Sequence, residues 1–429
     1  MIRRALPLIC LLALVLPACS HDPEKAARKY LASGDAYAAN DQFREAAIEY
    51  GNAVKEKPAW AEAHYKLAKA YSRVGDPVKA YAAYARAADL DPSNVDAQLQ
   101  AGTLLLVAGE YDKARTRAEL ALQADPKSAP ANILLGNAMA GMNETGRAIK
   151  QIQQAISLDP SYAPAWTALG AVQFLGGRAD GAGDAFRKAV TLAPSSIDAR
   201  LALANYEWAS GDTSAAEATL EAALAVDSSS PAIHRTLALL YLTTKRPAEA
   251  EPHFKALTSQ PGGRLALADY YLGMGRREAA LALLREIDAG GNKADGRAAR
   301  LRIASIEYAE GHTAEAHRLV DAILSEKPKD GEARIAKARM LLNDGKPDEA
   351  AAEAREALDL DGSSAAAKYT LGLAALAGNK ADEAEQAFRD VLKMNPRAGA
   401  ARLQLARLQL ARGATADALS AAEDRKSVV

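Results

Sequence analysis

Along most of the chain, apolar and small residues recur at intervals of three and four, the spacing that gathers them on one face of an α-helix. In residues 61–94, AEAHYKLAKAYSRVGDPVKAYAAYARAADLDPSN, His64, Leu67, Ala68 and Tyr71 form one such stripe, and Ala80, Tyr84 and Ala87 form a second. Gly75 and Asp76 separate the stripes and Pro92 follows the second, so the pattern predicts two short helices joined by a tight turn. The frame then recurs. Pro58, Pro92, Pro126, Pro160 and Pro194 are evenly spaced, with 34 residues from each to the next. A fixed period of that length marks a stack of like units rather than a set of unrelated domains.

The frame resembles the tetratricopeptide repeat, whose pattern runs W-x2-L-G-x2-Y, then A-x3-F, then A and P. Residues 163–196 match it best, with Trp166, Leu169, Gly170, Gly177, Ala182, Phe186, Ala189 and Pro194. Counterparts of Ala182 fall at Ala46, Ala80, Ala114, Ala148, Ala216, Ala250, Ala280, Ala316, Ala350, Ala384 and Ala418, which makes twelve units. The resemblance covers residues 27–429. It implies an all-α fold, a right-handed superhelical solenoid of about twelve helix-turn-helix hairpins whose first helices line a groove that holds protein segments. At the marker alanine the two helices of a hairpin approach closely, and a larger side chain would overpack the contact at about 1–3 kcal/mol. Gly34, Gly102, Gly136, Gly170 and Gly372 serve the same approach from the first helix.

The period breaks once. From Ala250 to Ala280 the step is 30 residues and from Ala280 to Ala316 it is 36, with QPGGR and DAGGNKADG in place of the usual helix ends. Paired glycines raise the backbone entropy lost on ordering, so an irregularity or hinge is expected at 258–297, between arms at 27–257 and 298–429. A repeat array normally closes with a polar capping helix, and the second arm is expected to lack one, since the sequence given stops at AAEDRKSVV.

Charge narrows the partners. Lys and Arg number 53 against 54 Asp and Glu, with no run of five basic residues, so no nucleic-acid surface is expected. The six histidines show no metal-ligand spacing: His312 and His317 are five apart, not the four of a helical zinc pair, and His64 and His234 take the place of Trp166 in their repeats. No phosphate loop and no nucleophile motif is present, so neither enzyme activity nor a metal or cofactor is expected.

Residues 1–18 read as an export leader, with Arg3 and Arg4 ahead of the apolar stretch ALPLICLLALVLPA, which is too short to span a bilayer. Its end, LPAC at residues 16–19, resembles the lipobox of bacterial lipoproteins. That resemblance implies cleavage before Cys19, lipidation of Cys19, and residues 19–26 as the lipidated terminus and short linker. With Ser20 next, it implies anchorage at the outer membrane facing the periplasm. Two or more acyl chains hold stably where one is marginal.

What remains is a surface. One place on the first helices gives Phe174, Trp208, Leu242, Leu272, Tyr308, Leu342, Leu376 and Leu410, an apolar stripe that reads either as groove floor or as core between neighbouring helices. Tyr65, Lys69 and Arg73 form a basic face that is either solvated or reads an acidic partner. A carboxylate clamp of the chaperone-docking type is not expected, because Ile133 and Leu201 stand where its Lys would precede Asn137 and Asn205. The expected function is a non-catalytic scaffold at the bacterial envelope, binding other proteins in its groove and the membrane through its anchor. Leader, lipobox and repeats together resemble the tetratricopeptide lipoproteins of exopolysaccharide export and surface-protein sorting, the PEP-CTERM-associated type. A secretin or pilus assembly lipoprotein, and the periplasmic part of a larger enzyme or export channel continuing past 429, are the alternatives.

Overall fold

The computed structural model describes residues 22–413, apart from the side chains of residues 179 and 180. Among the described residues the chain is all-α, in two compact units that divide between Ser228 and Ser229. The first unit holds six hairpins: α1 (Pro23–Ala38) with α2 (Phe43–Glu56), α3 (Ala61–Val74) with α4 (Pro77–Leu90), α5 (Val95–Val107) with α6 (Tyr111–Ala124), α7 (Ala129–Gly141) with α8 (Thr145–Leu158), α9 (Ala163–Leu175) with α10 (Ala179–Leu192), and α11 (Ile197–Ala209) with α12 (Thr213–Val226). The second holds five: α13 (Pro231–Thr243) with α14 (Pro247–Ala256), α15 (Gly263–Gly273) with α16 (Arg277–Asp288), α17 (Lys293–Ala309) with α18 (Thr313–Glu326), α19 (Gly331–Asn343) with α20 (Pro347–Leu360), and α21 (Ala365–Ala377) with α22 (Ala381–Met394). Helix α23 (Gly399–Ala411) opens the next.

Local chemistry sets the helix ends. Side chains of Asp76, Asn94, Ser196 and Ser364 accept hydrogen bonds from backbone N–H groups in the first turn of the helix each one precedes, satisfying donors the helix leaves unpaired. Between the two helices of every hairpin one residue turns into the left-handed region. In seven of the eleven hairpins it is glycine, as at Gly75 with φ 81°, and in the other four it is Asp41, Asn143, Lys245 or Asn379; Gly413, after α23, is left-handed as well. Gly suits this turn because any Cβ there crowds the following carbonyl.

The core is built on small side chains. The marker alanines from Ala46 to Ala384 have no exposed surface, and opposite several of them a glycine admits a large residue from the second helix. A Cβ on Gly136 would lie 2.6 Å from Ile152 Cγ1, and one on Gly372 would lie 2.7 Å from Phe388 Cε1. The Trp166 place has a polar duty as well as a packing one. Trp166 Nε1 donates to the Pro160 carbonyl at 3.0 Å, Arg200 Nε to that of Pro194 at 3.0 Å, and a His64 ring nitrogen lies 3.0 Å from that of Pro58. His234 instead sets its Nδ1 2.9 Å from His253 Nδ1, and burial, with the His234 charge second, holds the His253 pKa down.

The irregular segment has a physical cause. Pro252 within α14 carries no N–H for the helix ladder, and α14 gives way at Leu257 to a 3-10 turn ending at Ser259. Gly262 is left-handed at φ 73°, and a Cβ on Gly263 would sit 1.8 Å from the Leu257 carbonyl oxygen, so no other residue fits there without moving backbone. Helix α17 then begins early, capped by Asn292, and runs 17 residues. Both changes lie inside the second unit. Residues 23–26, expected as linker, belong to α1: Asp22 caps it and Pro23 opens it. The leader, Cys19, Ala418 and the expected missing cap lie outside the described residues. No helix among those described is long and apolar enough to cross a membrane.

Candidate functional site

In the second unit, first helices of successive hairpins pack side by side, α15 on α17, α17 on α19 and α19 on α21. Across them runs a cavity of about 1130 Å³. Its apolar lining includes Leu272, Leu281, Leu301, Ile306 and Ile335. The volume follows from the sequence of two helices: α17 sends Leu301, Ser305 and Ala309 into the lining and α19 sends Ile335 and Ala336, and residues three and four apart on a helix share a face. Ser305, Ala309 and Ala336 are too small to fill the space between the helices. A second cavity of about 550 Å³ shares Ser305, Ala309, Ala336 and Arg339 with the first and adds Tyr308 and Asn343, so the two form one trough.

Charges ring this floor, and most are already engaged. Arg302 grips Asp269 through Nε at 2.7 Å and Nη2 at 2.8 Å, tying α17 to α15. The hydrogen bonds it donates to Asp269 raise the Arg302 pKa despite partial burial, with Glu332 contributing at longer range. Arg277 Nη1 meets Glu310 Oε1 at 2.8 Å, and Arg276 Nη1 meets Glu251 Oε2 at 2.6 Å while its guanidinium lies 4.4 Å above the Tyr271 ring. Arg339, Glu332 and Glu278 line the cavity as exposed side chains.

The stripe expected from sequence is half-buried from Phe174 to Leu376, and only Leu410 is mostly exposed. Phe174 meets Tyr206 edge-on at 5.5 Å, Leu342 packs by Leu341 and Ala350, and Leu376 packs by Phe388 and Leu405. Trp208 and Leu242 are half-buried on α11 and α13. Leu272 and Tyr308 reach the trough. Tyr308 is also a tie between hairpins, its hydroxyl donating to Asp344 at 2.5 Å and lying 3.1 Å from the Met340 carbonyl; burial, then Asp344, pushes its pKa up to about 12. The residues that carry most of the trough, Leu301, Ser305, Ile335 and Arg339, stand one and two turns earlier on the same helices than Tyr308 and Leu342. One further signal was present in the sequence. Opposite charges one repeat apart, such as Asp269 with Arg302 and Arg277 with Glu310, mark pairs between adjacent hairpins.

In the first unit, Lys69 and Arg73 line a cavity of about 490 Å³ with Lys66, Asp35, Asp41 and Tyr50. The basic face there is largely compensated. Lys66 Nζ lies 2.8 Å from Asp35, and Arg73 lies 3.6 Å from Asp41 and stacks 4.3 Å above the Phe43 ring. Lys69 Nζ sits 5.6 Å above the Tyr65 ring, and the Tyr65 hydroxyl donates to Asp96 on the next hairpin. Glu307, Glu310 and His312 could each offer a ligand atom within 4.8 Å of the others, yet Arg277 already holds Glu310 and the His312 ring hydrogen-bonds Glu307 at 2.8 Å.

No curated protein matches the chain. Among solved structures, yeast Tom70 is 15% identical, aligned over 95% of this chain and 93% of its own, with a TM-score of 0.41. PilW, described as a widely conserved type IV pilus biogenesis factor, is 20% identical over 49% of this chain and 98% of its own, with a TM-score of 0.41. MamA from Desulfovibrio magneticus RS-1 is 24% identical over 41% and 98%, with a TM-score of 0.37. A tetratricopeptide repeat profile matches residues 31–95, 133–197, 201–264, 301–365 and 369–426, and two others match 73–120 and 261–286. These matches span most of the length and agree with the hairpins described above, and the chain belongs to the tetratricopeptide repeat family.

Proposed function

We propose that this protein is a non-catalytic scaffold, lipid-anchored through Cys19 at the bacterial envelope, that holds a segment of another protein against the first helices of its second unit. The observation that carries this reading is the trough across α15, α17 and α19: an open, apolar-floored channel of about 1130 Å³, bordered by charges that fix orientation. A helix or extended segment laid there would bury its apolar side chains on Leu301 and Ile335 and leave its polar side toward the rim. Anchorage follows from the leader and the LPAC sequence, and the envelope pathway it would serve is exopolysaccharide export or surface-protein sorting.

A photo-crosslinking side chain placed at Ser305, in the trough, and at Val78, exposed on α4, tests the reading in the native cell. Discrete protein adducts from position 305 and none from position 78 are expected. The absence of adducts from 305 would overturn it.

A further inference from the structure

We propose that the trough selects segments that present a carboxylate beside an apolar side chain, and that Arg339 is the residue that selects them; this rests on the scaffold reading above. Of the four arginines lining the cavity, Arg276, Arg277 and Arg302 are each held by a carboxylate of this chain, Glu251, Glu310 and Asp269. Arg339 makes no hydrogen bond or ion pair among the described residues. It stands where the two cavities overlap, with the small side chains Ser305, Ala309 and Ala336 about it, which leaves room beside the guanidinium for an incoming group.

Of the three acids of the lining Glu310 is held by Arg277, and the other two do not change the sign of this preference. Glu332 is seven residues before Arg339 on α19, roughly 10 Å along the helix, and it is close enough to Arg302 to be felt there. Glu278 lies in the first turn of α16, where the helix dipole favours a negative charge. Arg339 is in the last third of α19, short of its end. A guanidinium beside low-polarity walls attracts a carboxylate more strongly than one in open water, and its planar fork donates two parallel N–H bonds to that group. Ile335, one turn away on the same face, supplies the neighbouring apolar contact.

The test is selection of a randomised, surface-displayed peptide library on the purified mature chain, repeated on Arg339→Glu, Arg339→Gln and the trough-blocking Ser305→Trp. Wild type is expected to enrich Asp or Glu within a few positions of Leu, Ile or Phe. Synthetic peptides from that pool should bind Arg339→Gln about tenfold or more weakly, and Arg339→Glu should enrich Lys or Arg instead. Peptides blocked by Ser305→Trp but without acidic preference, or with one that Arg339→Glu leaves intact, would overturn this inference and leave the scaffold reading standing. Recovery of no peptide that Ser305→Trp blocks would overturn both. Arg339 is exposed and without partners among the described residues, so its variants should fold, and circular dichroism melts of the variants that match wild type verify that they do.

Discussion

The Tyr308 hydroxyl donates to Asp344 Oδ1 at 2.5 Å, and the His317 ring reaches the other oxygen of the same carboxylate at 2.7 Å, so one acid on the loop after α19 fastens two helices of the preceding hairpin. The Tyr308 bond, then the His317 contact, holds the Asp344 pKa below its ordinary value. A depressed carboxylate pKa stabilises the fold above its unfolded value, near 4, and that contribution is lost as pH falls through the folded one. Asp344→Asn should therefore cost about 1 kcal/mol at pH 7 and progressively less below about pH 4. Urea melts of wild type and variant across that range check it; a penalty independent of pH would refute the assignment.

Close approach within a hairpin gives a second expectation. Phe388 is fully buried against Gly372, whose added Cβ would meet the ring at 2.7 Å. Gly372→Ala should destabilise by about 1–3 kcal/mol through overpacking. Combined with Phe388→Leu, which removes the obstructing ring edge, the alanine should cost less than it does alone, and a double-mutant cycle on denaturant midpoints measures that coupling. Additive penalties would show that the two positions do not share the strain.

The hairpins were legible because their determinants are local and repeated. The Ala182 column, the 34-residue prolines and the turn glycines each recur in register, and each acts within one hairpin or its immediate loop. The trough was not legible in the same way. Periodicity shows that a first helix carries an apolar face broader than one ridge; which ridge its neighbour covers depends on how the next hairpin is seated. Leu342 and Ile335 look alike in sequence, yet Leu342 packs by Leu341 and Ala350 while Ile335 lines open space. Arg302 and Arg339 look alike too, and only the placement of Asp269 on another hairpin separates the engaged charge from the available one.

A turn that departs from its own column offers a gain in stability. Lys245 occupies the left-handed turn position at φ 60°, where seven other hairpins place glycine. Its side chain is exposed and has no hydrogen bond or ion pair among the described residues, so replacement sacrifices little. Lys245→Gly should stabilise by about 0.5–1 kcal/mol, because relief of the left-handed strain exceeds the extra chain entropy of glycine. Lys245→Ala keeps the Cβ and should bring no such gain; equal midpoints for the two variants in urea would show that the turn carries no strain.

Anchorage turns on one atom. If the Cys19 thiol carries the lipid, Cys19→Ser removes the attachment point and leaves an apolar leader in front of a chain in which no described helix can cross a membrane. Acyl chains contribute about 0.8 kcal/mol per buried methylene, so their loss takes away tens of methylenes of membrane affinity at once. The variant should move from the membrane fraction to the soluble periplasmic one, or accumulate as uncleaved precursor, and wild type should incorporate labelled palmitate where the variant does not. Wild type that takes up no label, or a mature variant that stays on membranes after a high-salt wash, would show that something other than Cys19 holds it there.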